Sequence, residues 1–244
     1  MNIKTSTKYQ IKDYNKTIRM FYLVILLIIT MSIIIAYTFE GGFFSVGGME
    51  FSTCIFLFVV GLNSFKETFY MMMQNGISRK TMYIGRFISF LSASVFMALL
   101  DRVILNVVSH LFNSERFIMA GMYDMIFEDR FQGRNVLVNN IEVILMSIAT
   151  YMAALVAGYL ITSAFYRMNK AVKLIASIGV PVLVFIILPI LDSSLLNNKI
   201  GIIISDFIIF TLKAPYNLVL VCLLFVIVSM GLSWLLIRRA VSKE

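Results

Sequence analysis

Long apolar runs alternate with short polar breaks along this chain. Met20 to Phe39 gives twenty residues without a charge, about what an α-helix needs to cross a ~30 Å hydrocarbon core at ~1.5 Å per residue. Further runs lie at about 51–74, 84–112, 141–165, 174–191 and 216–237, which predicts six transmembrane helices. The second run is charge-free only to Phe65, so its helix is expected to continue past Lys66 and Glu67 to Gln74, projecting beyond the membrane. Residues 7–19 keep the helical period, with Ile11, Tyr14 and Ile18 on one face and Lys8, Lys12, Lys16 and Arg19 on a neighbouring stripe. That pattern predicts an amphipathic helix lying on the membrane, its cations snorkelling to anionic headgroups. Between the last two spans, Ile200 to Leu212 is a mostly apolar stretch of thirteen residues with Asp206 in its middle. They are too short to cross, and the 192–213 stretch is read as re-entrant or interfacial helices.

The polar breaks differ in character. Glu40 to Glu50 is glycine-rich without Lys or Arg, a short outer turn. Residues 113–140 mix Phe117, Met119, Met122 and Tyr123 with Glu115, Asp124, Glu128 and Asp129, and predict a partly helical outer cap. Lys66 to Arg86 is the best punctuated. Asn75-Gly76 supplies the residues that most easily turn a helix end through a left-handed conformation. Ser78 is placed to cap a new helix, and Arg79 and Lys80 set two cations at the corner. The expectation is helix, tight corner, short capped helix, then a long apolar helix from Ile84. A simple turn needs only a handful of residues; this one reads either as a connecting loop that carries topology signals or as a docking knuckle for a soluble partner.

Composition agrees with a membrane protein and limits its chemistry. The 244 residues are 60% hydrophobic and 14% charged, with mean hydropathy +0.90, against about 25% charged in soluble domains. No cleavable signal peptide is expected, since the first apolar run follows nineteen polar-rich residues and no small-residue cleavage site comes after it. The net charge of +8 does not point to nucleic acid, because the cations sit in short loops beside apolar runs. With both termini inside, fifteen of the 21 Lys and Arg fall on the inner side and six on the outer, the bias of a six-span protein with cytoplasmic termini. Cys54 and Cys222 lie within apolar runs and imply no disulfide framework.

One polar point falls at lipid depth. Asp101 and Arg102 stand in the third run, with Asn106, Ser109 and His110 beyond. A charge centred in a bilayer costs roughly 2.5–3.5 kcal/mol on insertion scales, so the pair must face protein or water or lie near an interface. Counted from Tyr83, Asp101 belongs in the outer third. Asp101, Arg102 and Asn106 are read either as an outer polar cluster bonded to a neighbouring helix or as part of a substrate path. Asp124, Glu128 and Asp129 lack the spacing of an EF-hand loop, and His110 alone makes no metal site. Gly76-Ile77-Ser78-Arg79-Lys80-Thr81 lacks the Gly-Lys pair of a phosphate-binding loop, and metalloprotease and serine-hydrolase motifs are missing. The chain is therefore not expected to be an enzyme or to bind a cofactor or metal.

With its N-terminal helix, six spans, basic knuckle between spans two and three, and short outer helices between spans five and six, the chain resembles the membrane subunit of ABC-2-type transporters. Gln74, Asn75, Gly76, Ile77, Ser78, Arg79 and Lys80, followed by Tyr83 and Arg86, look like that family's coupling-helix segment. The resemblance implies an all-α permease in a bacterial cell membrane, paired with a second copy or a paralogous permease. It implies docking of Gln74 to Lys80 and Tyr83 onto a separate ATP-binding cassette ATPase, which would bind ATP and Mg. Small permeases of this kind are similar to exporters of lantibiotics and amphipathic peptide toxins, which implies peptide export; the alternative is a membrane immunity or sensor protein that binds peptides without transport.

Overall fold

Hydrocarbon offers a peptide group no hydrogen-bond partner, so a chain this apolar must satisfy its backbone within each segment. The computed structural model describes residues 3–38, 44–112, 117–127, 136–195 and 197–238, and most of them are helical. The helices are α1 (Ile3–Thr38), α2 (Met49–Asn63), α3 (Lys66–Gln74), α4 (Arg79–Phe112), α5 (Met122–Ile126), α6 (Val136–Arg167), α7 (Lys170–Val182), α8 (Leu188–Leu195), α9 (Lys199–Leu212) and α10 (Pro215–Arg238). Six stretches are long and apolar enough to cross a membrane: Ile3–Thr38, Met49–Gln74, Arg79–Phe112, Val138–Arg167, Lys170–Ser194 and Pro215–Arg238. The polytopic helical architecture expected from the apolar runs is therefore present.

Four differences from the sequence reading matter. The expected surface helix at 7–19 is the first half of one unbroken 36-residue rod, α1. Its stripe is real, but Ser6, Gln10, Tyr14 and Ile18 are buried against protein rather than lipid. Gln10 Nε2 donates to Ser6 Oγ at 3.1 Å and to the Met82 carbonyl at 3.4 Å, and Ser89 Oγ donates to Gln10 Oε1 at 3.3 Å. Polar side chains with partners on α4 make that stripe a helix–helix seam.

The second span does not run through to Gln74 unbroken. Asn63 Nδ2 and Ser64 Oγ donate back to the carbonyls of Val59 (3.0 Å) and Gly61 (2.8 Å), and Thr162 Oγ1 from α6 donates to that of Leu62 (2.6 Å). These side chains satisfy the carbonyls at the end of α2 in place of a continuing helix. Phe65 then wedges among the rings of Phe69, Tyr159 and Tyr166, at centroid distances of 5.2, 5.6 and 5.3 Å, and α3 starts after it.

On the opposite side, the expected turn and cap contain a short parallel ribbon, β1 (Phe44–Gly47) against β2 (Phe117–Ala120), with Phe44 opposite Phe117 and Gly47 opposite Ala120. Four-residue strands this far apart in sequence leave no alternation long enough to read. The helical part of the cap is α5; Glu115, Glu128 and Asp129 lie outside the described residues.

Finally, 192–213 holds one separate short helix, α9, because α8 prolongs the fifth span. Pro181 lacks an N–H and crowds the turn before it, and the helix passes through a π-helical turn at Leu183–Ile187 without ending. Asn197 and Asn198 turn the chain with positive φ, 49° and 61°. The Asp192 carboxylate then caps α9, accepting from the N–H groups of Ile200 (2.9 Å) and Gly201 (2.7 Å).

Candidate functional site

The corner between α3 and α4 forms where two helix ends need partners. At the end of α3 the Gly76 N–H donates to the Met73 carbonyl and the Ile77 N–H to that of Met72, at 3.1 and 3.0 Å. This is the Schellman pattern, and it requires the left-handed Gly76, φ 69°. Ile77 closes it by burying its side chain in the core that also holds Met72. Ser78 Oγ accepts the Thr81 N–H at 3.1 Å, the expected cap. The structure departs from expectation just afterwards: no separate short helix follows, since the capped helix is α4 itself, continuous for 34 residues.

The predicted docking residues divide into two sets. Gln74, Asn75, Gly76, Ser78 and Lys80 are exposed at the tip of the corner. Ile77, Arg79 and Tyr83 turn inward. Arg79 Nη1 donates to the Arg238 carbonyl at 2.7 Å, covering the open end of α10, and the Tyr83 hydroxyl donates to the Met230 carbonyl at 2.8 Å. The Tyr83 ring stands 5.0 Å from that of Trp234. Met72 Sδ lies 3.5 Å from Ser6 Oγ and 3.7 Å from Gln10 Nε2 on α1. The corner is thus tied to α1, α4 and α10 at once.

The second predicted set comes apart. Asp101 is 1% exposed and takes hydrogens from the hydroxyls of Tyr22 on α1 (2.7 Å to Oδ1) and Tyr151 on α6. Arg102 points elsewhere, its Nε and Nη2 donating to Asn140 Oδ1 at 2.8 and 2.6 Å. Asn106, one helical turn beyond Arg102, is exposed. Asp101 and Arg102 therefore meet different neighbours, as adjacent residues about 100° apart on a helix do.

No family model, curated protein or solved structure matches this chain. Function must be argued from its own residues.

Three polar positions carry more of the fold than the sequence suggested. Arg86, which the resemblance places with Tyr83 after the corner, is 1% exposed. Its guanidinium lies 5.7, 5.6 and 5.8 Å from the ring centres of Tyr14, Phe90 and Tyr159, and Nη1 donates to the Tyr14 hydroxyl. A desolvated cation over aromatic faces gains ~2 kcal/mol or more. Glu50, 3% exposed, accepts the Met122 N–H at 3.0 Å and holds the outer cap to α2. Glu142 accepts from the hydroxyls of Tyr123 (2.8 Å) and Tyr216, joining α6 to the cap and to α10. The tyrosines were the available signal, since a buried hydroxyl needs a partner. Asp124 Oδ2 accepts the Gly121 N–H at 2.9 Å. Among the described residues no three His, Cys, Asp or Glu side chains are grouped to hold a metal ion.

Proposed function

We propose that this chain is the membrane subunit of an ABC-2-type exporter, working as a pair on a separate ATP-binding cassette ATPase and moving amphipathic or hydrophobic peptides across the cell membrane. The observation that carries this reading is the construction of the Gln74–Lys80 corner. Its outer surface is free for a partner, while its concealed side is bonded to α1 and α10 and continues directly into α4. A partner gripping the tip would move three membrane-crossing helices as a unit, with no soft joint to absorb the stroke. ATP and Mg belong to that partner in this scheme.

The second permease subunit is assigned to the fifth span. Among the described residues, the apolar window of Lys170–Ser194 buries no residue, whereas the other five windows bury between 28% and 50%. The peptide substrate is assigned from the resemblance and from an apolar, adaptable side-chain supply of twenty-one Phe and sixteen Met.

Lys80→Glu tests the docking assignment, because Lys80 is exposed at the tip. Arg79 is unsuitable, since its substitution also uncovers the end of α10. Co-purification of an ATP-binding cassette subunit encoded beside this chain should fall about tenfold in the Lys80→Glu variant, equivalent to ~1.4 kcal/mol of lost contact. Undiminished retention removes the corner from the interface.

A further inference from the structure

The start of α4 and the end of α10 are joined by polar bonds more than by packing, since α10 lies mainly along α6 and touches α4 little. Within that small contact the spacing is regular. Arg79 and Tyr83 stand one turn apart on α4, and Met230, Trp234 and Arg238 stand one turn apart on α10. Arg79 reaches the Arg238 carbonyl and Tyr83 the Met230 carbonyl, while the Tyr83 ring meets that of Trp234 between them. The two bonds serve different ends. Arg238 closes α10, where carbonyls run out of intrahelical donors and need a cap. Met230 lies eight residues earlier, where the helix supplies each carbonyl with an N–H from four residues further on. Tyr83 takes the second lone pair of that carbonyl. The helix does not require this bond; what it does is fix where α10 stands.

We infer that Tyr83 and Arg79 form a latch that makes the last two turns of α10 move with the α3–α4 corner, and that Tyr83 is a coupling residue rather than a docking one. The attachment points at Met230 and Arg238 are ~12 Å apart at ~1.5 Å per residue. A segment held at two points that far apart can neither slide nor swivel on the corner. Both donors follow directly on the Gly76 turn and the Ser78 cap, so they sit on the first turns of α4, where the corner hands over to the long helix. The exposed tip residues Gln74 and Lys80 receive the partner, and Tyr83 passes the displacement on to α10. That use of the latch rests on the exporter reading; the latch itself does not.

The experiment uses the full chain in detergent, with Cys54→Ala and Cys222→Ala as background. Spin labels go on Gln74→Cys at the tip and Leu235→Cys on α10, both exposed, and double electron–electron resonance reads the distance between them. The intact latch should give one narrow distribution. Tyr83→Phe keeps the ring and removes only the hydroxyl; it should broaden the distribution about twofold and raise amide exchange over 230–238 by about three- to tenfold. Exchange over 215–226 should stay as it was, which a general loosening of the fold would not allow. Co-purification of the ATP-binding cassette subunit should be undiminished in Tyr83→Phe, in contrast to Lys80→Glu. An unchanged distance distribution overturns the latch. Loss of the ATPase on a par with Lys80→Glu overturns the coupling assignment and returns Tyr83 to the docking surface. If the unaltered chain retains no ATPase, the exporter reading falls, and a broadened distribution with faster exchange still decides for the latch.

Discussion

Asp101 takes a hydroxyl hydrogen on each carboxylate oxygen, from Tyr22 on α1 and Tyr151 on α6. An acid inside an apolar bundle is tolerated when both oxygens are satisfied, and truncating one partner exposes the cost of desolvation. Asp101→Asn puts an NH₂ where one oxygen accepted, so one tyrosine must turn away or lose its partner. The variant should insert normally but lose about 1–3 kcal/mol of unfolding free energy in detergent. Tyr151→Phe should then cost less when combined with Asp101→Asn than alone, a coupling of at least about 0.5 kcal/mol. Strict additivity in that cycle would mean that the bond contributes nothing. Arg86 follows the same logic with rings added to the Tyr14 hydroxyl; among the described residues its Nε has no hydrogen-bond partner, and the faces of Tyr14, Phe90 and Tyr159 lie against the charge.

Between elements, α2 and α6 pack backbone against backbone at Gly61 and Gly158. A Cβ added at Gly158 would lie 2.3 Å from the Phe58 carbonyl oxygen, and one at Gly61 would lie 2.3 Å from that of Leu155. Small residues let backbones touch where no hydrophobic drive exists between helices in lipid. Gly158→Val should therefore push the pair apart, with a loss of several kcal/mol or failure to accumulate, measured by size-exclusion profile and thermal unfolding. Gly76→Ala makes the contrasting case. Nothing lies within 4 Å of an added Cβ there, so the penalty is conformational alone, about 1–2 kcal/mol, and Gly76→Asn should recover most of it. Equal losses at the two glycines would contradict this division between steric and backbone causes.

At the scale of the whole molecule, the long helices set the design. α1, α4 and α6 have 36, 34 and 32 residues, well beyond the ~20 needed to cross, so the bundle extends past the hydrocarbon. The topology proposed from the charge bias has the corner end inside. With Cys54→Ala and Cys222→Ala as background, Ser78→Cys should resist a membrane-impermeant maleimide added to intact cells and react fully after permeabilisation. Rapid labelling of intact cells would invert the topology and remove the docking scheme with it. The fifth span belongs to this scale too: among the described residues its apolar window is uncovered, and such a helix is stable facing lipid or a second subunit but not facing water.

The number of spans, the corner glycine and the Ser78 cap were readable along the chain because each depends on residues within one or two helical turns. Run length decides spanning, Gly76 supplies a left-handed residue, and Ser78 reaches the N–H three residues on. The outer ribbon, the break after α2 and the cage around Arg86 depend on partners far along the chain, such as Phe117 for Phe44, Thr162 for Leu62 and Tyr159 for Arg86. The α1 stripe shows the boundary most clearly. Its period was visible, but whether polar Ser6 and Gln10 faced headgroups or another helix was decided only when α4 presented Met82 and Ser89 as partners, because a helical period specifies a face and not what covers it.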